Sequence, residues 1–459
     1  MDLVYLYKGG SKTELFLSIK SVWNFLKGYR HIYVVGDYVF FPTVKNVISL
    51  QHGTSRYNNS YLKIVDACNH PDISDDFLLM NDDFMFLKPV HVNDIPTYYL
   101  EGEIERLSTL NKDTRHSLFS TTVEYLKSQN KPLNHFDVHF PMVINKEKFL
   151  SMPTDKEYAY RSLYGNLFSE NLQHLDQGDN VCRNLQEFNS KIETFSIIST
   201  HNHLIQEAKL NVVSKIKKLF SSKLYISMTS TPPRFKYLAE AIKKLKQQTR
   251  PFEKIILNIP KEYKRYPGEY TLPEEILSDD KVYVNYIDID LGPITKVLPV
   301  KDIDFINDMD LIFTVDDDIE YTNTTIQRFI NEFEREEREY AITGRGLIIK
   351  GKKAFRDGEI ITNYLQGYSG CLYRKVYFKN FSDAYLDLIL NKRECFVSDD
   401  IVISAWLENQ NIKIKNLKFT VGKDLKSLDY GLQEDRLSLE RTHDVSVYVT
   451  AINQLKTKI

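Results

Sequence analysis

Two apolar runs, each ending in a cluster of carboxylates, constrain the fold of this chain more than any other feature of its sequence. In the first half, Phe77-Leu78-Leu79-Met80 leads into Asn81-Asp82-Asp83; in the second, Leu311-Ile312-Phe313-Thr314-Val315 leads into Asp316-Asp317-Asp318. A short apolar run bounded by turn signals predicts a buried strand, and carboxylates at its end emerge where open α/β sheets bind ligands. Crowded carboxylates repel one another and lose hydration unless a cation or a proton offsets them. A hard divalent ion, Mn²⁺ or Mg²⁺, held by one or two carboxylates together with substrate phosphates, accounts for both clusters. The metal candidates are therefore Asp82 and Asp83 in one half and Asp316 and Asp318 in the other.

The elements leading to the two clusters recur in the same order. In the first half the spacing predicts a strand over 3–7, a Gly9-Gly10 turn and a helix over 14–26 with Leu15, Ile19, Val22 and Phe25 on one face. A strand over 31–35 ends at Gly36-Asp37; a weaker strand over 47–50 and a helix over 61–67 precede the acidic strand. The second half offers a strand over 224–228, a Pro-containing turn, an amphipathic helix over 235–247, and strands over 254–259, 282–287 and 310–315. Strands alternating with helices predict an α/β chain of two tandem Rossmann-like domains, each a mostly parallel mixed sheet flanked by helices. The expected boundaries are 1–205 and 223–459, with 206–222 as a linker. The charge-dense stretch 332–340 predicts a solvated helix face.

With 459 residues the chain exceeds one ordinary core, and 42% hydrophobic with 27% charged residues is an ordinary globular composition. A net charge of −2 gives no basis for binding nucleic acid or an anionic membrane. The four cysteines are scattered without metal-ligand or disulfide spacing and read as reduced, buried thiols. The start of the chain lacks a secretory leader pattern, and nothing approaches the roughly 18 apolar residues of a membrane span. The expectation is a cytoplasmic protein with at most peripheral membrane contact.

In the second half the acidic triplet is one of an ordered set. Ile226-Ser227-Met228-Thr229-Ser230-Thr231-Pro232-Pro233-Arg234-Phe235, then Asp290-Leu291-Gly292-Pro293-Ile294-Thr295-Lys296, precede it; Gly367-Tyr368-Ser369-Gly370 and Ser398-Asp399-Asp400 follow. This order resembles the Asp-x-Asp glycosyltransferases of the GT-A type over residues 223–420. The resemblance implies a nucleotide-sugar donor, UDP foremost, whose diphosphate is carried on a metal at Asp316 and Asp318. It assigns Thr229 and Asp290 to the nucleoside, Arg234 or Lys296 to phosphate, and Asp399 or Asp400 to the base that takes the acceptor hydroxyl proton. Helix capping is the structural alternative for the Asp399-Asp400 pair. His443 is a candidate late metal ligand.

In the first half, Asp2-Leu3-Val4-Tyr5, Arg30-His31-Ile32-Tyr33-Val34-Val35-Gly36-Asp37, Met80-Asn81-Asp82-Asp83-Phe84 and Phe136-Asp137-Val138-His139 resemble the Stealth-like capsular polysaccharide synthesis proteins. That family implies transfer of a hexose 1-phosphate, although Tyr7-Lys8-Gly9-Gly10 stands where it has Trp-Val-Asp-Gly. Asp137 and His139 alternate as on a strand and would point the same way, completing with Asp83 either an oxygen/nitrogen metal site or an acid/base pair. Gly9 and Gly10 would let backbone approach a diphosphate, and Asp37 would meet the nucleoside. His174, Asp176 and Asp179 read as a polar loop, with a face toward the acceptor as the alternative. The expected protein is a bifunctional, metal-dependent glycosyltransferase that moves sugars from nucleotide sugars to a surface glycan or lipid-linked oligosaccharide. The first domain remains open between sugar transfer, sugar-phosphate transfer and glycan binding without catalysis. A sugar nucleotidyltransferase is disfavoured, because the Gly-rich basic loop after its first strand is absent.

Overall fold

The computed structural model describes residues 1–9, 12–50, 55–110, 116–175, 180–200, 222–335, 339–350, 353–355 and 361–428. The chain divides into two compact units, Met1–Phe40 with Val44–Ser221, and Phe41–Thr43 with Ser222–Ile459. All of the expected linker except Ser222 lies outside the described residues, as do Gly10, Asp176, Asp179 and His443. Both units are α/β, with parallel strands at the centre of a mixed sheet and helices against it.

In the first unit, β1 (Asp2–Tyr7), β2 (Ile32–Gly36), β3 (Val44–Ile48) and β4 (Asp76–Asn81) run parallel, and the order across the sheet is β3-β2-β1-β4. β1 and β2 are apolar nearly throughout, as strands covered on both faces must be. The helices α1 (Thr13–Phe25) and α2 (Arg56–Asn69) supply that cover. Ser55 caps α2 by accepting a hydrogen bond from the Asn58 N–H. Beyond β4 the chain turns through Asp82 and Asp83 into the short strand β5 (Phe84–Phe86). A fifth sheet strand, β6 (Met142–Asn145), then pairs antiparallel to β4. The strand β7 (Ile197–Thr200) pairs antiparallel with β5.

The second unit builds the same core. β8 (Leu224–Thr229), β9 (Ile255–Pro260), β10 (Val282–Ile287) and β11 (Leu311–Thr314) are parallel in the order β10-β9-β8-β11. The turn of Asp317 and Asp318 leads into the short strand β12 (Ile319–Tyr321). The sheet continues past β11 with β13 (Tyr340–Thr343), β14 (Ile361–Thr362), β15 (Cys371–Arg374) and β16 (Lys413–Asn416), in the order β11-β15-β13-β16-β14. As with β6, the strand beside β11, β15, is antiparallel. β17 (Leu425–Ser427) pairs antiparallel with β12, as β7 does with β5. In each unit the acidic turn therefore follows the fourth parallel strand and is fastened by a strand from much later in the chain.

Several expected elements take different forms: the strand expected over 47–50 runs Val44–Ile48, and the stretch 332–340, expected as a solvated helix face, ends in the buried Glu339 and in Tyr340 of β13. The helix expected over 235–247 is a 3₁₀ segment, Pro232–Tyr237, followed by α3 (Leu238–Leu245). Pro232 and Pro233 open the 3₁₀ segment, where an N–H would have no partner within the helix, while α3 buries Leu238, Ala241, Ile242 and Leu245 as its spacing requires. The strand expected through Asp137 and His139 does not form. The Arg161 guanidinium donates to the carbonyls of Phe136 (3.3 Å) and Phe140 (2.5 Å) and folds that segment around itself.

Candidate active sites at the two acidic turns

In the second unit, five carboxylates and two basic side chains meet near the C-terminal ends of β8 and β11. Lys296, only 3% exposed, donates to Asp316 Oδ1 at 2.6 Å and lies 2.8 Å from Asp399 Oδ2. The second contact is an ion pair without hydrogen-bond geometry, so Asp399 Oδ2 is buried with no hydrogen-bond partner. Arg234 donates to Asp317 Oδ1 at 2.7 Å and reaches Asp318 Oδ2 at 3.1 Å, and the Ser230 hydroxyl donates to Asp317 Oδ2 at 2.5 Å. Asp317 is 7% exposed and turned inward, whereas Asp316 and Asp318 are 28% and 31% exposed. The triplet thus presents its outer two carboxylates and uses the middle one as an internal anchor.

The local backbone fixes this arrangement. The Val315 N–H donates to Ser227 O, which keeps the end of β11 beside β8. The Asp316 N–H donates to the Tyr321 hydroxyl (3.2 Å), which donates to Tyr368 O (2.9 Å). Asp399 and Asp400 open α4 (Asp399–Asn409) from within its first turn; the residue before them, Ser398, makes no side-chain cap. Asp400 Oδ1 accepts the Gly367 N–H at 2.7 Å. A Cβ on Gly367 would lie 2.8 Å from that oxygen and 3.1 Å from Lys296 Nζ, so the glycine lets the loop close onto the charges. Burial pushes the Asp400 carboxyl well above the usual range, and Asp399 adds to the effect. Burial, then the Asp316 charge, raises Asp318 to about 6. Burial works against a charged Lys296, but Asp316, Asp399 and Asp400 outweigh it and hold its pKa well above the ordinary value.

Two other sequence candidates are tied to backbone. Thr229 donates its hydroxyl to Asn258 O (2.8 Å), and Asp290 accepts N–H groups from Lys264 (2.9 Å) and Gly292 (2.8 Å). Among the described residues no group of three or more His, Cys, Asp or Glu has the geometry to hold a metal. Asp316 and Asp318 still fit a Mg²⁺-type ion, which needs only one or two carboxylates when substrate phosphate and water complete its shell. Five carboxylates facing two cations also leave an excess of negative charge for such an ion to offset.

In the first unit, Asp82 and Asp83 occupy the turn after β4. Burial, then Asp83, raises Asp82 to about 6; burial, then Asp82 and Asp83, raises Glu14 to about 7. Glu14 lies in the first turn of α1 and is a member of this group that the sequence reading missed. Its position just after the glycine turn is the only signal that marks it. Ser199 on β7 donates to Asp83, and His139 Nδ1 lies 3.1 Å from the Ser199 hydroxyl and 3.7 Å from Asp83 Oδ2. Asp137 instead accepts from the Tyr57 hydroxyl (2.9 Å), so it and His139 bond to different partners. Gly9 sits against Asp37: at φ +86° its missing Cβ would fall 2.5 Å from Asp37 Oδ2. Lys63, buried on α2, donates to Tyr7 O at 2.9 Å beside them. His174 ends a short strand, Leu172–His174, with its ring 5.5 Å from that of Tyr99.

No family model matches the chain, and no curated protein does. Among solved structures it is similar to Staphylococcus aureus TarS 1-349, in complex with UDP (12% identity, TM-score 0.30), alone (11%, 0.29) and in complex with UDP-GlcNAc (13%, 0.30). Each match spans 43% of this chain and 56–58% of the TarS chain. The fold and its two acidic turns define a mixed α/β protein with parallel sheets flanked by helices. Among the described residues, no helix is long and apolar enough to cross a membrane.

Proposed function

We propose that the chain is a metal-dependent glycosyltransferase that uses a nucleotide-sugar donor, UDP-linked foremost, and carries a second, chemically different transferase centre in its first unit. The observation behind this reading is the convergence of Asp316, Asp399 and Asp400 on Lys296, with Asp318 held beside them by Arg234, at the C-terminal ends of parallel strands. Asp316 and Asp318 would hold Mn²⁺ or Mg²⁺, which neutralises the leaving diphosphate when bound. Lys296 and Arg234 orient these carboxylates, since both already spend their charge on the cluster. Asp400, the more accessible of its pair, takes the proton of the attacking acceptor hydroxyl, and the Gly367 N–H fixes its carboxylate. In the first unit, Asp82, Asp83 and His139 form the corresponding centre, with Gly9 and Asp37 near the donor. The acceptor is a surface glycan or lipid-linked oligosaccharide.

The test is turnover of a panel of UDP-sugars by the full chain with Mn²⁺, comparing Asp316→Asn and Asp318→Asn with Asp82→Asn and Asp83→Asn. A metal that stabilises charge by several kcal/mol makes the expected loss at least about a hundredfold for the donor of the affected unit. Unchanged turnover in all four variants would sink the metal-site reading.

A further inference from the structure

A cavity of about 370 Å³ opens in the first unit between the start of α2 and the 152–163 segment. That volume falls within the range of about 300–1,000 Å³ typical of small-molecule sites. Four tyrosines, Tyr57, Tyr61, Tyr158 and Tyr160, line it, with Asp155 and Glu157 among the polar residues. The rings are held at angles to one another: Tyr61 and Tyr160 are 6.5 Å apart with planes at 52°, and Tyr158 stands edge-on to Tyr125 at 5.6 Å. Two hydroxyls are oriented by carboxylates. Tyr57 donates to Asp137 Oδ2 and Tyr158 to Asp155 Oδ1, each at 2.9 Å. A phenol that gives its proton to a carboxylate turns its oxygen lone pairs outward as an acceptor.

The cavity lies toward the same end of the sheet as the acidic turn, because α2 starts beyond the C-terminal end of β3 just as the turn follows that of β4. Arg56 at the start of α2 acts electrostatically on both Asp82 and Tyr160, although burial is the larger influence on each. Aromatic faces beside hydroxyl acceptors and carboxylates match a pyranose, whose C–H face is apolar and whose rim carries hydroxyl donors. They do not match a phosphate, since Lys156 is the one cation among the described lining residues.

We propose that this tyrosine-walled cavity is a saccharide-binding subsite that receives the glycan acceptor of the first unit. The proposal deepens the transferase reading, but it is tested without donor or metal, so the two can fail separately. Saturation-transfer NMR on the full chain uses methyl glycosides of glucose, galactose, mannose and N-acetylglucosamine, with cellobiose and lactose. At least one of these probes is expected to receive saturation. Thr154→Trp, which fills the exposed mouth, is expected to weaken that binding at least about tenfold, the loss of one good ring contact. Tyr158→Ala gives the same comparison if Thr154→Trp does not fold. Silence from every probe, or equal transfer in the folded variant, would overturn the proposal.

Discussion

Lys296 holds together carboxylates from two distant parts of the second unit, Asp316 in the acidic turn and Asp399 at the start of α4. It is almost fully enclosed, so its removal would leave the buried Asp399 without its partner in a low-dielectric setting. Breaking a buried pair from one side costs about 3–5 kcal/mol. Lys296→Met is therefore expected to lower stability to urea by that order and to abolish donor turnover. Lys296→Arg, which keeps the charge in a wider head group, should recover stability more than turnover. If Lys296→Met keeps the wild-type urea midpoint, the ion pairs are not the brace described here.

At the scale of the element, β2 is informative at both ends. Its last residue, Gly36, has φ +135°, and a Cβ there would fall 1.9 Å from Tyr7 O on β1. Gly36→Ala is expected to cost about 3 kcal/mol, combining left-handed strain with that clash, and to displace the ends of β1 and β2 that carry Gly9 and Asp37. A thermal melt that matches wild type would contradict this. Just before β2, burial and then the Lys45 charge push His31 down to about 4; Arg30 acts the same way, while Asp2 and Asp72 oppose it. Between about 4 and its ordinary value near 6.5 the unfolded chain binds a proton that the folded chain refuses. This contribution is whole above pH 6.5 and is lost as the pH falls toward 4. Urea midpoints measured across that window should fall further in wild type than in His31→Asn, and parallel curves would count against a half-buried neutral His31.

At the scale of the whole molecule, all four cysteines are buried. Burial pushes Cys68 and Cys371 up to about 12 and Cys395 up to about 11, which suppresses the thiolate. A thiol reagent such as DTNB is expected to label almost none of them in the native chain and all four in denaturant, and a reducing agent should leave the melting curve unchanged. Rapid native labelling would show that a unit opens more readily than its burial implies. The shared strand order of the two units, with an antiparallel fifth strand and an acidic turn fastened by a later strand, makes them variations on one fold. Their sites differ: aspartates braced by Lys296 and Arg234 in one, and Asp82, Asp83 and Glu14 beside Ser199 and His139 in the other.

Local pattern alone determined both acidic turns, the apolar face of α3 and the parallel strands other than the edge strand β3, which runs Val44–Ile48 instead of 47–50, because each depends on periodicity within a dozen residues. The glycines at 9 and 36 were legible for a similar reason, as turns after strands. Tertiary structure decided everything that depended on who meets whom. Ser199 reaches Asp83 across 116 residues and Lys296 reaches Asp399 across about a hundred, and no periodicity encodes such pairs. The strand expected at Asp137 and His139 was lost to Arg161, whose guanidinium gathers the carbonyls of that segment from a helix further on. The same distance in sequence hid the tyrosine cavity, whose walls come from α2 and from residues about a hundred positions later. Sequence placed the charges at the strand ends; folding chose their counterions.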